Sequence, residues 1–211
     1  MLKLWFDTET TGLNPSKHGI LTAYFAVCDD KLNIVDELYL KVKAFDMNVI
    51  EVTPGAMAVN QINLADHLKD PETITYGEAK SVLIDFFKRN GAKNTKSRLQ
   101  PCGHNIQFDI DMLCSWIFDG KEEWEKYVHY RKLDTSGVCS FLKDVGFFPN
   151  DLGNLSSLVE YFKIPLKEAH HAKNDVLMNI EVYRAVVGMM KSLKTNAIVS
   201  ADSSLLSIIE R

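Results

Sequence analysis

The run Leu4-Trp5-Phe6 leads directly into two carboxylates, Asp7 and Glu9, and then into Thr10-Thr11-Gly12-Leu13. A short stretch that is apolar at successive positions reads as a strand buried on both faces, and so as a central strand of a layered sheet. Side chains alternate along a strand, so Asp7 and Glu9 share one face and emerge together where the strand ends. Two like charges held that close repel each other unless a cation sits between them. A hard divalent ion, which prefers carboxylate oxygen, is the economical partner. The plainer reading is a strand running out into a polar turn with both acids solvated, and only the rest of the chain separates the two.

Residues 20–28 and 33–43 continue as second and third strands, the link between them carrying the turn signal Asp29-Asp30-Lys31. Short links between the first three strands predict an antiparallel meander. Thr53-Pro54-Gly55 opens a region of loop and short helix reaching to about residue 70. A helix is predicted from Tyr76 to Asn90, with Ala79, Val82, Leu83, Phe86 and Phe87 on one stripe and Gly91 as its stop. A strand over 98–103, a helix over 106–118 and a fifth strand over 131–135 follow. Asn154 starts a helix that Pro165 ends, and a last long helix runs from about His171 to Met190. Three strands followed by helix–strand units predict an α/β layer architecture around a mixed five-stranded sheet, flanked by helices, with the first three strands antiparallel.

With 211 residues the chain is expected to form one domain over 1–190, followed by a segment, 191–211, that reads as tail, cap or partner-binding helix. A net charge of −4 argues against a broad basic face for wrapping duplex nucleic acid, but not against a small site where metal ions supply positive charge. Cys28, Cys102, Cys114 and Cys139 are scattered, without a C-x-x-C pair, so a zinc site is not expected. They read as reduced thiols of a cytoplasmic protein. Neither a signal peptide nor a membrane-length apolar run is read in the sequence.

Two further stretches place acids beside helix starts. Gly103-His104-Asn105-Ile106-Gln107-Phe108-Asp109 follows a strand and sets Asp109 in the first turns of a helix, where free backbone N–H groups favour negative charge. The small Gly103 permits close approach. His170-His171-Ala172-Lys173-Asn174-Asp175 sets Asp175 early in the last helix, with His170 at or just before its start. Asp111 and Asp134 are nearby acids not read as ligands.

Together these stretches resemble the three motifs of the DEDDh family of 3′→5′ exonucleases, the proofreading-subunit and RNase T group with an RNase H-like fold. The resemblance spans residues 2 to about 187. It implies catalytic roles for Asp7, Glu9, Asp109, His170 and Asp175. It also implies two divalent ions, Mg²⁺ or Mn²⁺, with Asp7 between them, Glu9 and Asp175 completing the first ion and Asp109 supporting the second. The sister branch carries a tyrosine four positions before the last aspartate, where this chain has His171. The DEDDh branch carries its histidine five positions before, which makes His170 the implied base. Thr10, Leu13, Asn105 and Phe108 match positions that cradle the 3′-terminal nucleotide.

The resemblance thus implies a metal-dependent 3′→5′ exonuclease that releases nucleoside 5′-monophosphates from single-stranded DNA or DNA 3′ ends. The alternative is a 3′→5′ exoribonuclease of the RNase T or oligoribonuclease kind, and the shared chemistry leaves both open. A non-catalytic binding module of the same fold is the third reading. A polymerase partner and a homodimer are both compatible with the chain. The basic stretch Lys88, Arg89, Lys93, Lys96 and Arg98 reads as a solvated loop or as a lead-in for the strand. Residues 121–132 read as a substrate-shaping insertion or an amphipathic surface helix.

Overall fold

The computed structural model describes residues 1–94, 96–165 and 171–200. Among the described residues one sheet of six strands runs in the order β4-β3-β2-β1-β5-β6. Strand β1 (Lys3–Thr10) pairs antiparallel with β2 (Ile20–Cys28), and β2 pairs antiparallel with β3 (Ile34–Lys43). On the other side of β1, β5 (Gln100–Gly103) runs parallel to it, and β6 (Leu133–Asp134) runs parallel to β5. The expected meander and mixed sheet are therefore present, with six strands rather than five. The additional strand is β4 (Thr73–Thr75), which pairs in parallel with the end of β3. Three residues are too few to show a strand period, and Thr75 also serves as N-cap of the following helix.

Every residue of β2 is buried, as befits a strand covered on both faces. On one face, Leu4, Phe6 and Phe25 pack with Phe86 and Phe87 of α3 (Tyr76–Arg89) and with Trp124. Trp124 ends α5 (Lys121–Trp124), so the 121–132 segment contributes to the core. On the opposite face, Trp5, Tyr24 and Ala26 pack with Ala172, Val176 and Ile180 of α8 (Ala172–Ser200). These three α8 positions recur at helical spacing, so one stripe of α8 is pinned over β1 and β2.

Three helix features depart from expectation, and the loop-and-helix region is present as expected. Helix α7 (Leu155–Tyr161) stops before Pro165, with Lys163 at φ 55°, a left-handed turn that closes the helix early. Helix α6 (Thr135–Asp144) was not read from the sequence, and the Asp134 side chain caps it by accepting from the Ser136 N–H. Helix α8 passes Met190 without a break and reaches Ser200. The loop-and-helix region contains α1 (Pro54–Asn60) and α2 (Leu64–Lys69). No described helix is long and apolar enough to cross a membrane.

Candidate active site

The register of β1 sets the site. Strand β5 pairs with β1 only as far as Trp5↔Cys102, whereas β1 continues to Thr10. The carboxyl end of β1 therefore projects beyond its parallel neighbour and opens a crevice where β5 turns into α4 (Gln107–Trp116). Crevices of this kind, at strand carboxyl ends beside diverging helices, are where open α/β sheets bind ligands. Gly103 makes the turn into α4 passable, because a Cβ there would lie 2.4 Å from Cδ1 of Ile106.

Asp7 and Glu9 follow Trp5 on the α8-facing side of β1, as strand alternation requires. Asp175 lies in the first turn of α8, next to the anchoring Val176, and its N–H donates to the His171 carbonyl at 3.1 Å. Carboxylate oxygens of Asp7, Glu9 and Asp175 all lie within 4.8 Å of one another. Asp109 enters from α4 and is 3% exposed. Its Oδ1 accepts from the Thr8 N–H at 2.9 Å and from the Thr8 hydroxyl at 2.6 Å. Thr8 lies past the end of the β5 pairing, which leaves its amide available for this bond.

The electrostatics are those of crowded acids. Burial, then Asp109, Glu9 and Asp175, pushes Asp7 well above the ordinary carboxylate range. Burial, then the charges of Asp175 and Asp109, raises Glu9 to about 7. Burial raises Asp109 to about 7 even though the Thr8 hydrogen bonds pull it down. A cluster of oxygen donors whose mutual repulsion opposes ionisation fits a hard divalent cation, which would relieve that repulsion.

A cavity of about 470 Å³ adjoins Glu9, lined by Thr10, Leu13, His18, Ala56, Val59 and Phe108 among others. Three of the four expected nucleotide contacts, Thr10, Leu13 and Phe108, therefore meet at one place. Leu13, 81% exposed, stands at its mouth. The Thr10 hydroxyl donates to the Gly12 carbonyl at 2.8 Å and so is engaged in the turn itself. Asn105 is elsewhere: at φ 56° its backbone N–H donates to Asp134, and the residue lines a separate pocket with Ser136 and Lys143. His170 lies outside the described residues. His171 stacks on Tyr39, with ring centroids 5.4 Å apart and planes 10° from parallel.

Other acids and bases sit apart from the cluster. Asp111 accepts from Gln107 on the exposed side of α4, and Asp134 caps α6. In the basic stretch, Arg89 forks onto Asp36 and Arg98 donates to the Glu125 carbonyl. The stretch joins β1 through the bond from Gln100 N–H to the Leu2 carbonyl, at the end of β1 remote from Asp7, which does not favour a lead-in role. A larger cavity, about 660 Å³, is lined by Leu32, Ile34, Pro165 and Arg184 at the Lys3–Cys28 end of the sheet. It contains none of the clustered carboxylates, and the smaller cavity is the one joined to the chemistry.

The sequence reading missed the outer wall of that smaller cavity. Asn60, buried at the end of α1, donates from Nδ2 to the Thr10 carbonyl at 3.0 Å and ties α1 to the end of β1. Thr53 N–H and hydroxyl both donate to the Thr11 carbonyl. These are contacts across some forty to fifty residues, and no local pattern announces them.

The sequence profile of RNase_T, an exonuclease family, matches residues 4–183. The oligoribonuclease of Chromobacterium violaceum is 27% identical over 143 residues, covering 66% of this chain and 74% of that protein. The oligoribonuclease of Buchnera aphidicola is 30% identical over 139 residues, covering 64% of this chain and 81% of that protein. Among solved structures, E. coli exonuclease I in complex with a dT13 oligonucleotide superposes with a TM-score of 0.72 at 20% identity, over 98% of this chain and 45% of that one. The chain thus spans less than half the length of exonuclease I, and the likeness there is one of fold.

Proposed function

Because the chain belongs to the RNase_T exonuclease family, in the DEDDh 3′→5′ class, we propose that it shortens single-stranded oligonucleotides from the 3′ end, releasing nucleoside 5′-monophosphates, with short RNA as the preferred substrate. The observation that carries the reading is the convergence of Asp7, Glu9 and Asp175 within 4.8 Å, beside a cavity of base-accepting size. The oligoribonuclease relatives favour RNA over the DNA substrate that the sequence reading put first.

Asp7, Glu9 and Asp175 would hold divalent ions, Mg²⁺ or Mn²⁺, with Asp109 in support. Such ions, when bound, acidify water and neutralise charge on a phosphodiester. Glu9 belongs both to this cluster and to the cavity wall, so the chain itself couples metal binding to placement of the terminal nucleotide. Leu13 and Phe108 offer apolar surface on which an unstacked base rests, which selects frayed or single-stranded ends. Asn60 and Thr53 hold the Thr10-Thr11 backbone in place beneath it. In this reading His170, five positions before Asp175, accepts the proton of the attacking water, a task that suits an imidazole near neutral pH.

The test is a time course on matched 5′-labelled RNA and DNA oligonucleotides with Mg²⁺ or Mn²⁺, beside an EDTA control. The reading expects a metal-dependent ladder that shortens from the 3′ end, faster on RNA. Faster cleavage of DNA would reverse the substrate assignment. A ladder unaffected by EDTA would refute the metal site.

A further inference from the structure

His18 also lines the cavity beside Glu9, and its two ring nitrogens have different duties. Its Nδ1 accepts the Asn14 N–H at 2.8 Å, closing the turn that follows Leu13. A nitrogen that accepts carries no proton, so in the neutral ring the proton is on Nε2, which is a donor. His18 is 8% exposed, and its ring lies against Gly12, where a Cβ would come within 2.5 Å of it. It is therefore held in one orientation by backbone on one side and by the turn on the other. Among the described residues Nε2 has no hydrogen-bond partner, and it is not one of the polar atoms sealed from solvent. His18 lines the cavity with Leu13, Ala56, Val59 and Phe108.

We infer that His18 is a specificity-determining residue: its Nε2–H donates to an acceptor, a carbonyl oxygen or ring nitrogen, on the edge of the 3′-terminal base. The inference rests on the exonuclease reading above. The base is the matching part of the nucleotide, because the walls around His18 are apolar while the phosphate belongs with the carboxylates. A fixed donor in an apolar pocket rewards an occupant that carries an acceptor and penalises one of the same shape that lacks it, since the donor is then desolvated and unpaired.

The test compares kcat/KM on oligoribonucleotides ending in ribothymidine (the thymidine end) or in its difluorotoluene ribonucleoside isostere, which keeps the shape and loses the acceptors. His18→Asn keeps an acceptor near the Nδ1 position for Asn14 and removes the Nε2 donor. His18→Gln restores a donor near Nε2 and gives up the Asn14 contact. Wild type is expected to prefer the thymidine end by about tenfold, as one hydrogen bond warrants. His18→Asn should fold normally, by melting temperature, and bring the ratio to about one, mainly through KM. His18→Gln should recover part of the preference. Equal preference in wild type and His18→Asn, or none in wild type, would overturn the inference. A wild type inert on both ends would overturn the exonuclease reading itself.

Discussion

Thr8 gives both of its donors to one oxygen atom: its backbone N–H and its hydroxyl converge on Oδ1 of Asp109, at 2.9 and 2.6 Å. The two bonds favour the charged carboxylate and pull down a titration that burial pushes up to about 7. It also orients Asp109 from a helix on the far side of β1 toward the Asp7 cluster. Replacing the hydroxyl by a methyl, in Thr8→Val, keeps the backbone bond and removes the other. The expected result is a rise in the apparent metal dissociation constant and a fall in kcat of roughly tenfold or more, the usual scale for a group that orients a metal-binding carboxylate. Metal titrations of activity check it, and an unchanged midpoint would count against the role.

The crowded carboxylates predict an inverted pH dependence for the metal-free protein. Glu9 and Asp109 titrate near 7 when folded, and Asp7 is raised as well, so the folded state keeps protons that the unfolded state has released. Their stabilisation is full below about pH 4 and is lost as pH rises through about 7. His104, lowered by burial, slopes the other way up to its ordinary value, so the comparison is made against Asp7→Asn, in which His104 contributes equally. In EDTA the wild-type melting temperature should fall from pH 5 to pH 7.5 more steeply than that of Asp7→Asn. Mn²⁺ should restore the wild type most at the higher pH. Parallel profiles for the two proteins would remove the repulsion argument.

Leu13 and Phe108 predict a split between binding and folding. Leu13 is exposed at the cavity mouth, so Leu13→Ala should leave the melting temperature nearly unchanged. Loss of the apolar surface a leucine buries against a base costs about 1.5–3 kcal/mol, so KM should rise roughly ten- to 150-fold. Steady-state kinetics on a short oligonucleotide decides it, and a KM within twofold of wild type would place the terminal base elsewhere.

Ile180 predicts the reverse. It is buried with Trp5 and Tyr24 and fastens α8, the helix that carries Asp175, over β1. Ile180→Ala should cost about 2–5 kcal/mol of stability, as large-to-small changes in a packed core do. Denaturant unfolding measures it. A loss below about 1 kcal/mol would show that α8 is held by other contacts.

The sequence made the centre of this site readable because each acid sits in a short local pattern: the D-x-E at a strand end, and one aspartate in the first turn of each of two helices. Strand alternation alone was enough to pair Asp7 with Glu9. What surrounds that centre depends on distant contacts and was not readable. Asn60 and His18 acquire their places by reaching the end of β1 and the turn after it. Asn105, expected beside the nucleotide, has a left-handed backbone and lines a pocket with Ser136 and Lys143, apart from Thr10, Leu13 and Phe108. Strand β4 escaped because three residues carry no period, and α6 (Thr135–Asp144) was not read although Asp134, which ends β6, is its cap.

The most direct test of the central claim is calorimetric titration of Mn²⁺ into the metal-free protein, wild type beside Asp7→Asn and Asp175→Asn, with folding of each verified by melting temperature. The account predicts saturable binding to the wild type, and binding weakened at least tenfold in both folded variants, because each removes one wall of a single site. Undiminished Mn²⁺ affinity in either variant would contradict it.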